Sequence, residues 1–173
     1  RLLDDKVVAW FRGRFEWGPR ALGNRSILAD PRRAEAKDVV NEKIKFREPF
    51  RPFAPSVLVE ESEKYFDLAQ PDSVYPARFM LLVVPVREDK QDTIPAVSHM
   101  GTARVQTVHS ETSPVYHNLI STFGQATGVP VLLNTSFNVR GEPIVNSPTD
   151  ALSTFANSGI DTLVMGDFIV DKS

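Results

Sequence analysis

The chain has 173 residues, 42% of them apolar and 24% charged, the balance of an ordinary globular domain able to bury one sizeable core. It has no cysteine, which excludes disulfides, thiolate nucleophiles and cysteine-ligated zinc and suits a cytoplasmic location. The net charge of −2 hides an asymmetry, +5 over residues 1–51 against −7 over residues 52–173, which favours a small anionic ligand over a long nucleic acid. No apolar run reaches the length of a membrane span, and His99, His109 and His117 stand in no metal-ligand spacing. Neither a membrane span nor a protein-held metal is expected. The chain opens on Arg1 and is read as a piece of a longer polypeptide.

Residues 7–12 alternate β-branched and aromatic side chains and predict a strand, with a second short strand at 26–29. Between them Gly13, Gly18 and Gly23 supply backbone freedom, Pro19 stiffness, and Arg14, Arg20 and Arg25 forked cations. Such a loop can hold a phosphate or carboxylate. It can also be an arginine-rich surface turn closed by salt bridges to Glu16 and Asp30. No Gly-Lys-Ser/Thr follows, so it is not a Walker A loop, nor does it read Gly-x-Gly-x-x-Gly.

Asp30 and Pro31 open a predicted helix over 31–43, with Ala36, Val39, Val40 and Ile44 at helical spacing. Lys43, Lys45, Arg47 and Arg51 then lie among Phe46, Phe50 and Phe53 and three prolines, an extended, stiff segment that holds its cations in place. A strand at 56–59, a short helix at 61–66 and a strand at 78–86, apolar on both faces, follow as scaffold. From Thr102, alternation puts Thr102, Arg104 and Gln106 on one strand face.

Ser113 and Pro114 start a helix that runs to Gly128, with Val115, Tyr116, Leu119, Ile120 and Phe123 as its buried stripe. The strand 129–135 ends in Asn134, Ser136 and Asn138, amides and a hydroxyl placed to read a ligand's oxygens and nitrogens. Ser147 and Asp150 form a capping-box start for a helix that buries Leu152, Phe155 and Ala156 and stops at Gly159. Strands at 162–165 and 168–170 close the chain as a hairpin around Gly166 and Asp167. Three longer helices, a short one and roughly eight strands predict a single α/β (α+β) domain around one twisted mixed sheet with flanking helices.

Five stretches are more specific than any one loop: 16–26 around Trp17-Gly18-Pro19-Arg20, 45–48, 50–55, 101–107, and 133–138 containing Asn134-Thr135-Ser136. In order and spacing the sequence resembles the C-terminal domain of the O-carbamoyltransferases that modify nodulation factors and antibiotics, over nearly the whole chain. The resemblance implies a YrdC-like fold that binds ATP, with magnesium accompanying it, and carbamoyl phosphate, and forms carbamoyl-adenylate. An N-terminal domain of the same polypeptide, from the actin-like and sugar-kinase-like superfamily, would then carbamoylate an acceptor hydroxyl. The matching positions imply that Arg20, Lys45, Arg51, Arg104, Asn134 and Ser136 bind substrate, with Lys45, Arg51 and Arg104 catalytic.

One departure stands out, since family members read His-x-Asp-Gly-Thr where this chain has Ser98-His99-Met100-Gly101-Thr102 and lacks the acid. The residue inventory agrees with the resemblance: joining two polyanions calls for positioned cations more than for a general base. Two other readings stay open. Phe11, Phe15, Trp17, Phe46, Phe50 and Phe53 interleaved with arginines fit a module that binds RNA or a nucleotide without chemistry, which exposure of those rings would favour. The second is synthesis of threonylcarbamoyl-adenylate.

Overall fold

The computed structural model describes residues 1–48 and 50–172. Eight strands form one sheet: β1 (Val8–Phe11), β2 (Arg25–Ala29), β3 (Ala54–Leu58), β4 (Leu82–Pro85), β5 (Thr102–Val108), β6 (Val131–Ser136), β7 (Thr162–Met165) and β8 (Phe168–Asp171). Their order across the sheet is β4-β5-β3-β6-β2-β1-β7-β8. The pairs β1/β7 and β3/β5 are parallel and the others antiparallel, so the sheet is mixed, as its sequence pattern predicts. The helices are α1 (Glu35–Val40), α2 (Ser62–Tyr65), α3 (Pro114–Thr127) and α4 (Pro148–Ala156).

Strand periodicity sorts the core into two layers. On one face Ala9, Phe11, Ile27, Ala29, Val57, Val105 and Leu133 pack with Val40 of α1 and Ala151 and Phe155 of α4. On the other, Val8, Trp10, Leu28, Leu58, Val108 and Leu132 meet Tyr116, Ile120 and Phe123 of α3. This second face changes character along the strands. Residues two apart from its apolar set are polar: Ser26, Ser56, Gln106 and Asn134, with Arg104 and Ser136 two further on. Cross-strand pairing of Ser26 with Ser136 and of Ser56 with Gln106 gathers them beside one another. α3 covers the apolar end, and the loop between β1 and β2 meets the polar end through its backbone at Ala21, Leu22 and Gly23.

Several expected elements shift. The strand predicted at 78–86 splits into a 3-10 turn, Tyr75–Phe79, and β4, whose Val83 and Pro85 are exposed because β4 is the edge of the sheet. Helix α1 begins four residues late, because Asp30 is engaged by Arg32, and it widens into a π turn over Asn41–Lys45. In α3 Ser113 makes no side-chain cap, its ψ of 59° lying far from the extended geometry of a capping serine, while Val115 stays exposed. Gly128, at φ 76°, ends α3 as expected.

The capping box of α4 is present, with Ser147 Oγ accepting from the Asp150 N–H and Asp150 Oδ2 accepting from the Ser147 N–H. Its buried stripe is Ala151, Thr154 and Phe155, so Leu152 and Ala156 face solvent contrary to expectation. The closing hairpin forms in the predicted register around Gly166. No helix among the described residues is long and apolar enough to cross a membrane.

Candidate functional site

The loop between β1 and β2 is held by its own carboxylate. Glu16 Oε1 accepts backbone N–H groups from Leu22 at 2.8 Å, Asn24 at 2.6 Å and Arg25 at 3.3 Å. Three donors that glycine freedom made available to an external anion are thus satisfied internally. Arg25 is buried over the Phe11 ring, 3.6 Å from its centroid, and donates to the carbonyls of Arg12 and Asn24 at 2.8 and 3.0 Å. Burial pulls its guanidinium below the usual arginine value, against the pull of Glu16. The alternative closure by salt bridges does not form, because Asp30 pairs with Arg32 and Glu16 acts on the backbone. Of the loop's other arginines, Arg14 is exposed to solvent and Arg20 lines a hollow.

Two adjoining hollows share Arg47 and Ser136. The smaller, about 70 Å³, is lined by Arg20, Arg47, Arg104, Asn134 and Ser136 among others. The larger, about 260 Å³, is lined by Lys45, Arg47, Glu48, Arg51, Ser136, Asn138 and Arg140 among others. All six positions singled out in the sequence therefore line this two-part cleft, Arg20 and Arg104 in one part, Lys45 and Arg51 in the other.

Its electrostatics are one-sided. Burial first, then Arg20 and Arg47, push the Arg104 guanidinium below its usual value; burial and Arg51 do the same to Arg47, opposed by Glu48. The Nε atoms of Arg20, Arg47 and Arg104 are buried without a hydrogen-bond partner, and no ion pair among the described residues includes these three. Like charges gathered with only Glu48, itself paired with Arg51, to oppose them raise the energy of the fold, and an anion placed among them lowers it. Arg51 differs, since its Nε donates to Glu48 at 2.8 Å and both side chains are half-exposed.

Asn134 and Lys45 face the protein as well as the cleft. The Asn134 amide donates to Ser56 Oγ and Gln106 Oε1, both at 3.0 Å, while Gln106 Nε2 donates to the Leu22 carbonyl at 2.8 Å. This network ties the loop that carries Arg20 to β3, β5 and β6. The Asn134 Oδ1 atom is buried without a partner. Lys45 Nζ donates to Ser136 O at 2.6 Å and to Asn138 O and Oδ1 at 2.9 Å, a clamp on the turn after β6.

Burial and the Arg47 guanidinium pull the Lys45 ammonium down to about 7, against the oxygens that hold its protons. An unfolded lysine keeps its proton up to 10.5, so between these values the unfolded chain binds more protons and stability rises with pH. Denaturant titrations of the wild type are expected to show that rise between pH 7 and 10, and Lys45→Met to abolish it. A slope unchanged by the substitution would place the Lys45 titration elsewhere.

Sequence reasoning placed Arg47 and Asn138 on ligand-facing segments without counting them among the substrate-binding positions, and gave Arg140 no role. Arg47 stands at the centre because Phe46 adopts φ 45°, a left-handed conformation that turns the chain between Lys45 and Arg47 and costs about 1–3 kcal/mol in a non-glycine residue. Arg140 Nη1 donates to the Phe46 carbonyl at 3.0 Å. The spacing Lys45-x-Arg47 was the available signal for Arg47, and none marked Arg140. Of the six aromatics read as possible stacking groups, Phe11 and Phe53 are buried, while Phe15, Trp17, Phe46 and Phe50 are exposed.

The sequence profile described as carbamoyltransferase C-terminus matches residues 1–172. The chain is 52% identical over 172 residues to nodulation protein NolNO of Sinorhizobium fredii, a match covering 99% of this chain and 25% of that protein. It is 44% identical over 169 residues to the 3'-hydroxymethylcephem-O-carbamoyltransferase of Amycolatopsis lactamdurans, covering 96% of this chain and 31% of the relative. It thus spans about a quarter to a third of the length of these relatives. Full-length HypF, solved in a phosphate- and nucleotide-bound form, superposes with a TM-score of 0.62 at 18% identity over 96% of this chain and 24% of its own, a likeness of fold. Profile coverage and these identities together place the chain in the carbamoyltransferase C-terminal domain family.

Proposed function

We propose that this domain binds ATP and carbamoyl phosphate in the two-part cleft and forms carbamoyl-adenylate, which a further domain of the same polypeptide uses to carbamoylate an acceptor hydroxyl. The observation that carries this reading is the set of half-buried Arg20, Arg47 and Arg104, whose Nε atoms are buried without a hydrogen-bond partner and which lack any carboxylate partner among the described residues. Net, carbamoyl phosphate, ATP and one water give carbamoyl-adenylate, phosphate and pyrophosphate. Water cleaves the bridge between the carbamoyl group and its phosphate, giving carbamate and phosphate; a carbamate oxygen then bonds to the α-phosphorus of ATP as the bridge to the β-phosphate breaks and pyrophosphate leaves.

Negative charge builds on the α-phosphoryl oxygens and on the leaving pyrophosphate, and fixed cations in a desolvated site stabilise it without reorganising. In this reading Arg20, Arg47 and Arg104 hold phosphoryl oxygens. Arg51 and Arg140 bind at the outer part, Lys45 and Ser136 fix the floor, and Asn134 offers an amide oxygen. No group of three or more His, Cys, Asp or Glu side chains among the described residues is placed to hold a metal. Magnesium would accordingly be carried by the nucleotide's oxygens and by water.

The exposed rings of Phe15, Trp17, Phe46 and Phe50 favour a second reading, a module that binds RNA or a nucleotide without chemistry. Titration calorimetry with ATP and carbamoyl phosphate, followed by a pyrophosphate assay, separates the two. Binding of both substrates with pyrophosphate release that needs carbamoyl phosphate is the expected result; RNA binding without turnover would replace it with the second reading.

A further inference from the structure

The first residues of the chain close in the way the end of a helix closes. Leu2–Asp4 form a 3-10 turn, and Asp5 follows in the left-handed region at φ 58°. The Lys6 N–H donates to the Arg1 carbonyl and the Asp5 N–H to the Leu2 carbonyl, both at 3.2 Å. A six-to-one bond enclosing a five-to-two bond around a left-handed residue is the Schellman motif, which satisfies the carbonyls of a helix's last turn. One such turn by itself is unfavourable, since nucleating a helix fixes several residues for a single bond.

This turn is part of the wall of an apolar hollow that the arginine cleft does not use. The hollow, about 340 Å³, is lined by Leu2, Trp10, Leu119, Phe123, Val164 and Ile169 among others, between α3 and the β7/β8 hairpin. Leu3 and Ile169, both in the lining, are 53% and 64% exposed. Arg1 and Thr122 are its polar lining residues, and Arg1 Nη2 already donates to Asp171 Oδ2 of β8 at 2.6 Å. Among the described residues no buried, unpartnered side-chain polar atom belongs to the lining, so nothing there is placed to orient a small polar ligand. Its walls suit apolar side chains.

Helix periodicity selects which side chains would enter. Residues three and four positions before Leu2 lie on Leu2's side of a helix, and Leu2 is buried with Trp10 and Phe123 in the second core layer. In the relatives most of the polypeptide lies outside the match, and the family description puts the match at their C-terminus. Continuity of the chain at Arg1 would give an upstream segment an effective concentration of about millimolar, so a modest apolar face is enough to seat it. We propose that Leu2–Asp4 is the last turn of an amphipathic helix contributed by the segment of the same polypeptide immediately upstream of Arg1, and that its apolar face fills the hollow between α3 and β8. β1 follows the turn directly and leads into the loop that carries Arg20, so the seated helix anchors the start of that strand.

The 173 residues include no cysteine, so single introduced thiols report on the hollow. Thr122→Cys and Ala126→Cys each place one on its α3 wall and Gln125→Cys places one on α3 outside it, all at exposed positions. Maleimide labelling, read by peptide mass spectrometry, is compared in the 173-residue chain, in the chain extended upstream by about 15 residues, roughly four turns of helix, and in the full polypeptide. Positions 122 and 126 are expected to label about tenfold or more slowly in both longer chains, while position 125 labels alike in all three. Adding Ile169→Asp, which puts a charge in the hollow, is expected to restore fast labelling at position 126. Equal rates in all three chains would overturn the proposal. So would protection confined to the full polypeptide, which would make a more distant domain the occupant. Protection of the 173-residue chain that vanishes on dilution would make the occupant a second copy, and would overturn it as well.

Discussion

Replacing Arg104 by alanine is expected to lower carbamoyl-dependent pyrophosphate release by about 10² to 10³ without lowering the melting temperature. The two halves of this expectation share one cause. Arg104 is desolvated beside Arg20 and Arg47, and its Nε finds no partner, so in the free protein it raises the energy of the folded state. In the proposed reaction phosphoryl oxygens in the cleft would relieve that repulsion, most fully as charge builds on them in the transition state. Removing the side chain therefore raises the reaction barrier while easing the resting protein. Arg104→Lys is expected to recover only part of the rate, because an ammonium keeps the charge and loses the planar fork. Pyrophosphate release and thermal melting measured together decide the matter: a variant as active as wild type would place Arg104 outside the reaction, and a large drop in melting temperature would make it a structural residue.

Gly23→Ala carries the largest expected cost in stability, about 3 kcal/mol or more. Gly23 has φ 111°, which L side chains rarely adopt, and a Cβ there would lie 2.3 Å from Cδ1 of Tyr116. Neither neighbour can yield cheaply. Tyr116 is buried on the inner stripe of α3, and the Gly23 carbonyl accepts the Trp10 indole N–H at 2.8 Å, which fixes the backbone from the other side. Urea unfolding measures the loss, and the double variant with Tyr116→Leu should recover part of it, since the clash then disappears and the positive φ remains. A cost below about 1 kcal/mol, within the range of ordinary surface substitutions, would show that the loop carrying Arg20 is not pinned here.

What the sequence determined by itself was local. The alternation of Val8 to Phe11, the proline and glycine that bound α3, the Ser147 and Asp150 pair and the Gly166 turn place their elements because period, capping and turn chemistry are properties of neighbouring residues. The same short range identified the cation-bearing segments around Arg20, Lys45 and Arg104. Which cations face one another was decided by strand order alone. β6 lies between β3 and β2, so the turn after it meets Lys45 from the π turn that follows α1, and β5 beside β3 brings Arg104 toward Arg20 and Arg47.

Tertiary contacts also set roles that residue type left open. Arg20 and Arg25 belong to one loop, yet Arg25 is used on backbone carbonyls beneath Phe11, whereas Arg20 lines the cleft. Glu16 closes the loop through three N–H groups that a reader of the glycines would assign to a ligand. Arg47 became central through the left-handed turn at Phe46, a conformation disfavoured for a phenylalanine and therefore invisible to propensity. Hydrogen bonds and desolvation between residues distant in the chain decide such outcomes, and these energies exist only once the sheet has brought the partners together.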